Sequence, residues 1–342
     1  MEGYKSNIFI SPIFVILLLL GIGTGCTSSD NSTPTNTSSE PVEINIGHGI
    51  STEEPLYLVE HLPEVASNLG ESYTLNMSSF QANADRINAY QAGEIDGGTL
   101  GQGAALMISE QGVDLTVLAS VVQDSVEEGY NHKFLTMADS ELEYTAEALE
   151  GAVIGIPDYM SPTDLWGRAA VRDLGLDPDS DVEWVNIAAP AMTASLEAGI
   201  IDIGMFAQPF FEMTQNNNEE YEEVFNSKTG VPINEDFLVL FMDPEFISEN
   251  EEAVEDFLAD YVAVTEYYLD NQEEMRQLLL DVGAVEADPE DYIEMEDSDR
   301  SKTGEINLES WKEVQNLILE EEWIEDRVNL ESIVDMSYLP DR

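Results

Sequence analysis

The sequence predicts an α/β protein of two similar lobes with a ligand cleft between them. Two observations carry this. One short pattern occurs twice, displaced by 106 residues: Gln91-Ala92-Gly93-Glu94-Ile95-Asp96-Gly97-Gly98 with Gln102, and Glu197-Ala198-Gly199-Ile200-Ile201-Asp202-Ile203-Gly204 with Gln208. From Val42 onward, strand-like apolar runs alternate with helical periodicity, which is the order of α/β architecture. Each copy of the pattern reads as helix end, glycine stop, short buried strand, tight turn and new helix. Gly93 and Gly199 suit the left-handed residue that ends a helix. Ile95 and Ile201 open the short strands, and Gly98 and Gly204 allow close backbone approach.

The elements follow in order. Val42 to Ile46 alternates as a strand. Pro55 to Leu69 reads as a helix, with Leu56, Val59, Leu62, Ala66 and Leu69 on one face. Tyr73 to Phe80 is a strand, Arg86 to Ala92 a helix, Leu115 to Val122 and His132 to Met137 further strands. A second block opens with the strand Ala152 to Ile156. Ser161-Pro162-Thr163-Asp164 is a helix start, with a capping Ser, Pro at the first position and Asp in the first turn. Strand Val182 to Val185, helix Met192 to Ala198, strand Ile201 to Phe206 and strand Phe237 to Met242 complete the alternation. The remainder is helical. Val254, Phe257, Leu258, Tyr261, Val262, Thr265, Tyr268 and Leu269 trace one buried face, and Trp311, Val314, Leu317 and Ile318 another.

Residues 1–26 have the grammar of an export signal. Lys5 precedes the mostly apolar Ile8 to Ile22, then Gly23-Thr24-Gly25 and Cys26. The apolar stretch is shorter than the roughly 20 residues a spanning helix needs. Cys26 is the only cysteine, so no disulfide forms within the chain. Small residues before a cysteine resemble the lipobox of secreted lipoproteins, in which the cysteine carries lipid. The usual leucine three places before it is Gly23 here. Residues 27–41 form a Ser/Thr/Asn/Pro-rich tether too polar to pack. Asn31, Asn36 and Asn76 match the glycosylation triplet.

With 70 acidic and 12 basic residues, the net charge is −58. Such a charge repels itself in a compact fold. In molar salt the screening length falls to about 3 Å, so the composition reads as adaptation to high salt. It excludes nucleic-acid binding, which needs a basic patch. The 43% hydrophobic content argues against disorder.

In this frame the chain resembles the type 2 substrate-binding proteins of ABC importers, in the nitrate/sulfonate/taurine and thiamine-precursor branch. The resemblance rests on Pro55-Leu56-Tyr57-Leu58, Ala92-Gly93-Glu94-Ile95-Asp96, Leu149 to Ile156, Gly175-Leu176-Asp177-Pro178, Ala198 to Asp202, and Pro209. It implies a two-lobed type 2 periplasmic-binding-protein fold. Residues 42–137 and 235–342 would form lobe 1, and residues 138–234 lobe 2. The chain would leave lobe 1 near Met137 and return near Pro232. It further implies a monomer on the extracellular side of the membrane, anchored through Cys26. The protein would hand a small polar or anionic solute to an ABC permease and its ATPase.

Ligands bind beyond the carboxyl ends of strands in open α/β sheets, where helix N-termini offer free N–H groups. Five loops meet this description. They supply the candidate ligand residues His48, Ser51, Thr52, Ser79, Phe80, Gln81, Asn83, Gly101, Gln102, Met160, Ser161, Thr163 and Gln208. Ser161 is first a helix cap, and Asp96 and Asp202 are first caps or turn formers. Asp158 disfavours an anion and suits a zwitterionic or cationic group. His61 and His132 read as surface, and no histidine has metal-ligand spacing. No catalytic residue, cofactor or metal is assigned. There is no nucleophile elbow, zincin pair, phosphate loop or catalytic cysteine. Two alternatives stay open. One is an enzyme like the thiamine-pyrimidine synthases, which use a cleft histidine; Lys133 and Lys228 are poorly placed for their imine chemistry. The other is a non-transport sensor.

Two outcomes are expected. Cys26→Ser should release the protein from membranes or leave its leader uncleaved; unchanged partitioning and processing would refute the anchor. The melting temperature should climb steeply from low to molar salt, and a flat profile would refute the halophilic reading.

Overall fold

The computed structural model describes residues 40–49, 52–80, 82–140, 142–215 and 220–341. Cys26, Ser51 and Gln81 lie outside the described residues, as do the leader, the tether up to residue 39 and the triplets at Asn31 and Asn36.

The first sheet is built from β1 (Val42–His48), β2 (Tyr73–Ser79), β3 (Gly97–Gly101) and β4 (Thr116–Asp124). Between them run α1 (Glu54–Leu58), α2 (Asn83–Gln91) and α3 (Gln102–Glu110). The chain then crosses into a second sheet of β5 (Lys133–Met137), β6 (Val153–Ile156), β7 (Glu183–Asn186), β8 (Ile203–Phe206) and β9 (Tyr221–Asn226). Its helices are α4 (Ala146–Leu149), α5 (Pro162–Asp173), α6 (Met192–Glu197), α7 (Phe210–Gln215) and α8 (Ser227–Gly230). A return crossing leads to β10 (Glu235–Met242) in the first sheet. Six helices follow: α9 (Pro244–Glu249), α10 (Glu251–Asp270), α11 (Gln272–Asp281), α12 (Pro289–Glu294), α13 (Leu308–Glu320) and α14 (Leu330–Ile333).

The sheets share one plan, β2-β1-β3-β10-β4 and β7-β6-β8-β5-β9. In each, the first three strands are parallel, and the fourth runs antiparallel to both neighbours. Because β5 pairs with β8 and β9, the first crossing lies between Asp124 and Lys133, not near Met137.

The repeated pattern has a clear packing role. Ile46 pairs with Gly97 and Gly47 with Gly98; Ile154 pairs with Ile203 and Gly155 with Gly204. Asp96 accepts hydrogen bonds from the backbone and side chain of Asn45, each at 2.8 Å. Asp202 accepts one from the Val153 backbone at 2.8 Å. Both aspartates therefore clip a new strand to the parallel strand beside it. Gly93 and Gly199 hold the left-handed backbone expected, at φ 69° and 64°. The short strands start two residues later than the sequence suggests. Ile95 and Ile201 precede them and fill the space a side chain on Gly47 or Gly155 would need.

The predicted helix from Pro55 to Leu69 is interrupted. Pro63 offers no N–H to the turn before it and pushes Leu62 out of helical geometry, to φ −124° and ψ 61°. The chain continues as turns. By contrast α10 runs its full length. It contains neither Gly nor Pro, and Glu251 and Glu252 oppose the positive helix start. Its Phe257, Leu258, Tyr261 and Tyr268 pack on one face of the first sheet, with Leu240 and Met242 of β10. Val239 and Phe241, pointing the other way, pack with α3 and with Trp311 and Ile318 of α13. Each large side chain so buried contributes roughly 1.5–3 kcal/mol.

The two repeat copies differ in tightness. A Cβ on Gly98 would collide with the Gly47 carbonyl oxygen, a backbone atom. One on Gly204 would meet the Met192 side chain at 3.0 Å. Gly98→Ala should therefore cost about 1–3 kcal/mol in denaturant unfolding, and Gly204→Ala clearly less. Equal costs would contradict this packing.

Candidate functional site

The loops at the carboxyl ends of the strands meet between the two sheets. After β1, the His48 ring is half-buried; its Nδ1 lies 2.6 Å from the Gly49 carbonyl and its edge meets Tyr57 at 5.0 Å. Thr52 follows, buried and left-handed at φ 64°. Glu53 accepts hydrogen bonds from Gly49 N at 3.0 Å and from the Thr99 hydroxyl at 2.9 Å. Arg86 of α2 lies 3.8 Å from Glu53 and donates to Thr99 and to the Asn83 side chain, at 2.5 and 2.8 Å. Its Nε has no partner. From the sequence, Arg86 is only the start of a helix, and Glu53 and Thr99 are not assigned to the site. Phe80 packs against Gly47 and the core beside α2, and Ser79 ends β2 exposed.

The second sheet repeats the design. The step that separates Ile46 from Ile154 also separates Thr52 from Met160, which is left-handed too, at φ 54°. Left-handed backbone at a residue other than glycine costs of order 1–3 kcal/mol and collects at functional sites. Ser161 caps α5 as expected: its hydroxyl accepts from Asp164 N at 3.4 Å, donates to the Asp158 carbonyl at 2.8 Å and lies 2.7 Å from the Thr163 hydroxyl. Asp164 takes the Met160 N–H at 2.8 Å and pairs with Arg168 at 2.8 Å.

The loops of the two sheets touch. Gly101 abuts the Pro162 ring, close enough that a Cβ would stand 3.0 Å from it. Asp158 sits near Asn83 and Arg86, whose N–H groups and charge favour its ionised form. Burial still raises its carboxyl above the ordinary range, against those contacts.

Gln102 and Gln208, the matched glutamines, are 2% and 1% exposed. Both side-chain amide atoms of Gln102 lack a hydrogen-bond partner, as does Oε1 of Gln208. A buried polar group left unpaired costs about 1–3 kcal/mol. Gln102 is the first residue of α3 rather than part of a loop, and this helix start carries no side-chain cap. It shares with Ser161, Pro162 and Phe237 a space of about 10 Å³, which is near the size of one water. A concavity of about 850 Å³ lies elsewhere, between His61, Tyr267 and α11. No strand-end residue lines it.

Behind the cleft, the crossings are fastened by buried charge. Asp124 contacts His132 Nδ1 at 2.7 Å, Lys228 Nζ at 3.1 Å and the Ser227 hydroxyl at 3.0 Å. Lys228 also reaches Glu235 at 3.0 Å and the Ile233 carbonyl at 2.8 Å. Trp166 Nε1 donates to Glu235 at 2.8 Å. Burial pushes Asp124 up, but His132 and Lys228 outweigh it and hold the carboxyl below its usual range. His132 is fully buried, not on the surface; its ring packs between Trp166 and Phe237. His61 is exposed, as expected. Among the described residues, no group of three or more His, Cys, Asp or Glu could hold a metal, and no helix is long and apolar enough to cross a membrane.

A family model described as the NMT1-like family matches residues 37–280. The chain belongs to the NMT1-like family. Solved structures with the same fold include the ligand-binding component of an ABC-type import system from Staphylococcus aureus, with zinc bound. It has a TM-score of 0.71 and 15% identity, over 87% of this chain and 97% of that one. The alkanesulfonate-binding protein SsuA from Xanthomonas axonopodis pv. citri, bound to MOPS, gives 0.66 and 15%, over 87% and 99%. The nitrate-binding protein NrtA from Synechocystis PCC 6803 gives 0.58 and 16%, over 74% and 69%. No curated protein matches. The NMT1-like chain thus has the two-sheet α/β fold of periplasmic binding proteins.

Proposed function

We propose that this NMT1-like protein is the solute-binding component of an ABC importer. It captures a small polar solute between its sheets and delivers it to a permease driven by an ATPase. The observation that carries this is the pair of buried, incompletely bonded amides, Gln102 and Gln208, one per sheet at matched positions. Their stability cost is offset only when something else completes their hydrogen bonds. The shared fold with importer components supports the same reading. The two sheets act as lobes hinged at residues 125–132 and 227–234. A solute touching both lobes binds the closed form better than the open one, which is what closure requires. The protein works as a monomer outside the membrane, tethered through Cys26. Binding without chemistry fits the side chains better than catalysis does. His48 Nδ1 is engaged by Gly49, and the Lys228 amine by Asp124, Glu235 and Ile233.

Gln102→Met and Gln208→Met test the reading in two directions. Without solute, each variant should be as stable as the wild type or more so, by up to about 1–3 kcal/mol, because an orphaned amide is removed. Calorimetry with a solute identified by thermal-shift screening in molar salt should show weaker binding in both. Unchanged affinity in both variants would remove the glutamines from the site. Turnover of the solute would move the protein to the enzymes.

A further inference from the structure

The unbonded atoms of the cleft specify what a solute must bring, an inference that rests on the solute-binding reading above. Among the described residues, three cleft side chains keep a buried polar atom without a partner. Arg86 lacks one at Nε, Gln102 at both Oε1 and Nε2, and Gln208 at Oε1. The three residues are only 4%, 2% and 1% exposed, so bulk water does not supply the missing bonds.

The sense of each missing bond is fixed. An arginine Nε carries a hydrogen and only donates. The Gln102 amide has one donor side and one acceptor side, whichever way it is turned. Gln208 cannot be turned. Its nitrogen faces Glu212 Oε1 at 3.3 Å, and a carboxylate accepts. Its free atom is therefore the carbonyl oxygen, which needs a donor. Arg86 and the Gln102 nitrogen thus call for acceptors, whereas the Gln102 and Gln208 oxygens call for donors, one beside each sheet. Neighbouring hydroxyls do not change this demand. Thr99 donates to Glu53 and accepts from Arg86. Ser161 donates to the Asp158 carbonyl and accepts from Asp164 N.

Charge points the same way. Among the described residues, each buried arginine or lysine side chain already has a carboxylate. Arg86 has Glu53 at 3.8 Å, Lys228 has Glu235 at 3.0 Å, Arg276 has Asp297 at 3.5 Å and Arg300 has Glu54 at 2.6 Å. A bare oxyanion only accepts. It would satisfy Arg86 and the Gln102 nitrogen, strand both glutamine oxygens, and carry an unpaired charge into a buried place, which is costly. A solute with N–H or O–H groups as well as acceptors, and no net charge, completes all four atoms.

We propose that the cleft selects a solute without net charge that sets one N–H or O–H donor against Gln102 and another against Gln208, with its acceptors on Arg86 and Gln102. The two glutamine oxygens read the donors. This requirement separates the chain from proteins of the same fold that are named for alkanesulfonate or nitrate.

The test uses the full chain in molar KCl, followed by thermal shift and calorimetry. Nitrate and ethanesulfonate are the acceptor-only probes. Against them stands a panel of uncharged amides, alcohols and zwitterions. Each is paired with its fully N- or O-methylated analogue, which keeps the net charge and loses the donors; acetamide with N,N-dimethylacetamide and alanine with N,N,N-trimethylalanine are two such pairs. Neither anion should give saturable stabilisation. A donor-bearing solute should bind about tenfold or more tighter than its methylated partner, and that preference should shrink in Gln102→Met and in Gln208→Met. Saturable binding of either anion to the wild type overturns the proposal and leaves the solute-binding reading in place. So does a bound solute whose methylated analogue binds equally well, a comparison that needs no variant. A preference undiminished in both folded variants also overturns it, since methyl bulk rather than the glutamines would then be responsible. Silence across the whole panel, anions included, removes the solute-binding reading itself and the donor requirement with it.

Discussion

The cleft loops of this protein hang on a few buried cations. The chain has only 12 lysines and arginines against 70 acids, and it places the described ones with care. Arg300, fully buried, donates to the Thr52 carbonyl at 2.9 Å and to Glu54 at 2.6 Å, and lies 3.3 Å from Asp297. It thus ties the left-handed loop after β1 to the C-terminal segment. Arg86 gathers Glu53, Thr99 and Asn83 from three elements, and Lys228 joins the two crossings. Arg168 and Arg172 bind α5 to Glu321 just beyond α13. A buried ion pair adds little net stability over apolar packing, but removing one partner costs about 3–5 kcal/mol. The surplus acids lie mostly on the surface, where salt screens them. The few pairs inside fix positions.

The two halves share one plan and differ where they face each other. At the capping position after the first left-handed residue, the first sheet has Glu53 and the second has Ser161. One brings a charge that needs Arg86; the other brings a hydroxyl that needs only neighbouring backbone. The backbone repeat is kept, with Thr52 and Met160 sharing a conformation. The chemistry the loops offer is not. A cleft made from two nearly equal lobes therefore has unequal walls.

Much of this was legible in the chain. The doubled pattern, the glycine stops and the Ser161-Pro162 helix start all depend on neighbours close in sequence, and each appears where its residues indicate. Pro63 was also legible as a breaker, but the apolar spacing of Leu62, Ala66 and Leu69 obscured it. The helix from Gln102 was legible only as the new helix that closes the doubled pattern, without its bounds. It is buried almost all round, so Gly103 to Ile108 show no polar face and no period. His132 was misread because its partners, Asp124, Trp166 and Phe237, meet it only through the crossings. Glu53 and Thr99 looked like ordinary polar residues until Arg86 reached both.

The order of the first sheet sets a limit on how the molecule comes together. In β2-β1-β3-β10-β4, β10 is the only strand of the sheet beside β4, and it is separated from β4 in the chain by every strand of the second sheet. The second sheet is continuous in the chain, from Lys133 to Asn226. It can zip up as one piece. The first cannot: whichever residues emerge first, its edge stays open until Met242 arrives to slide between two strands made long before. One sheet is written in the chain as an unbroken stretch, and the other is a frame that only its last strand can lock.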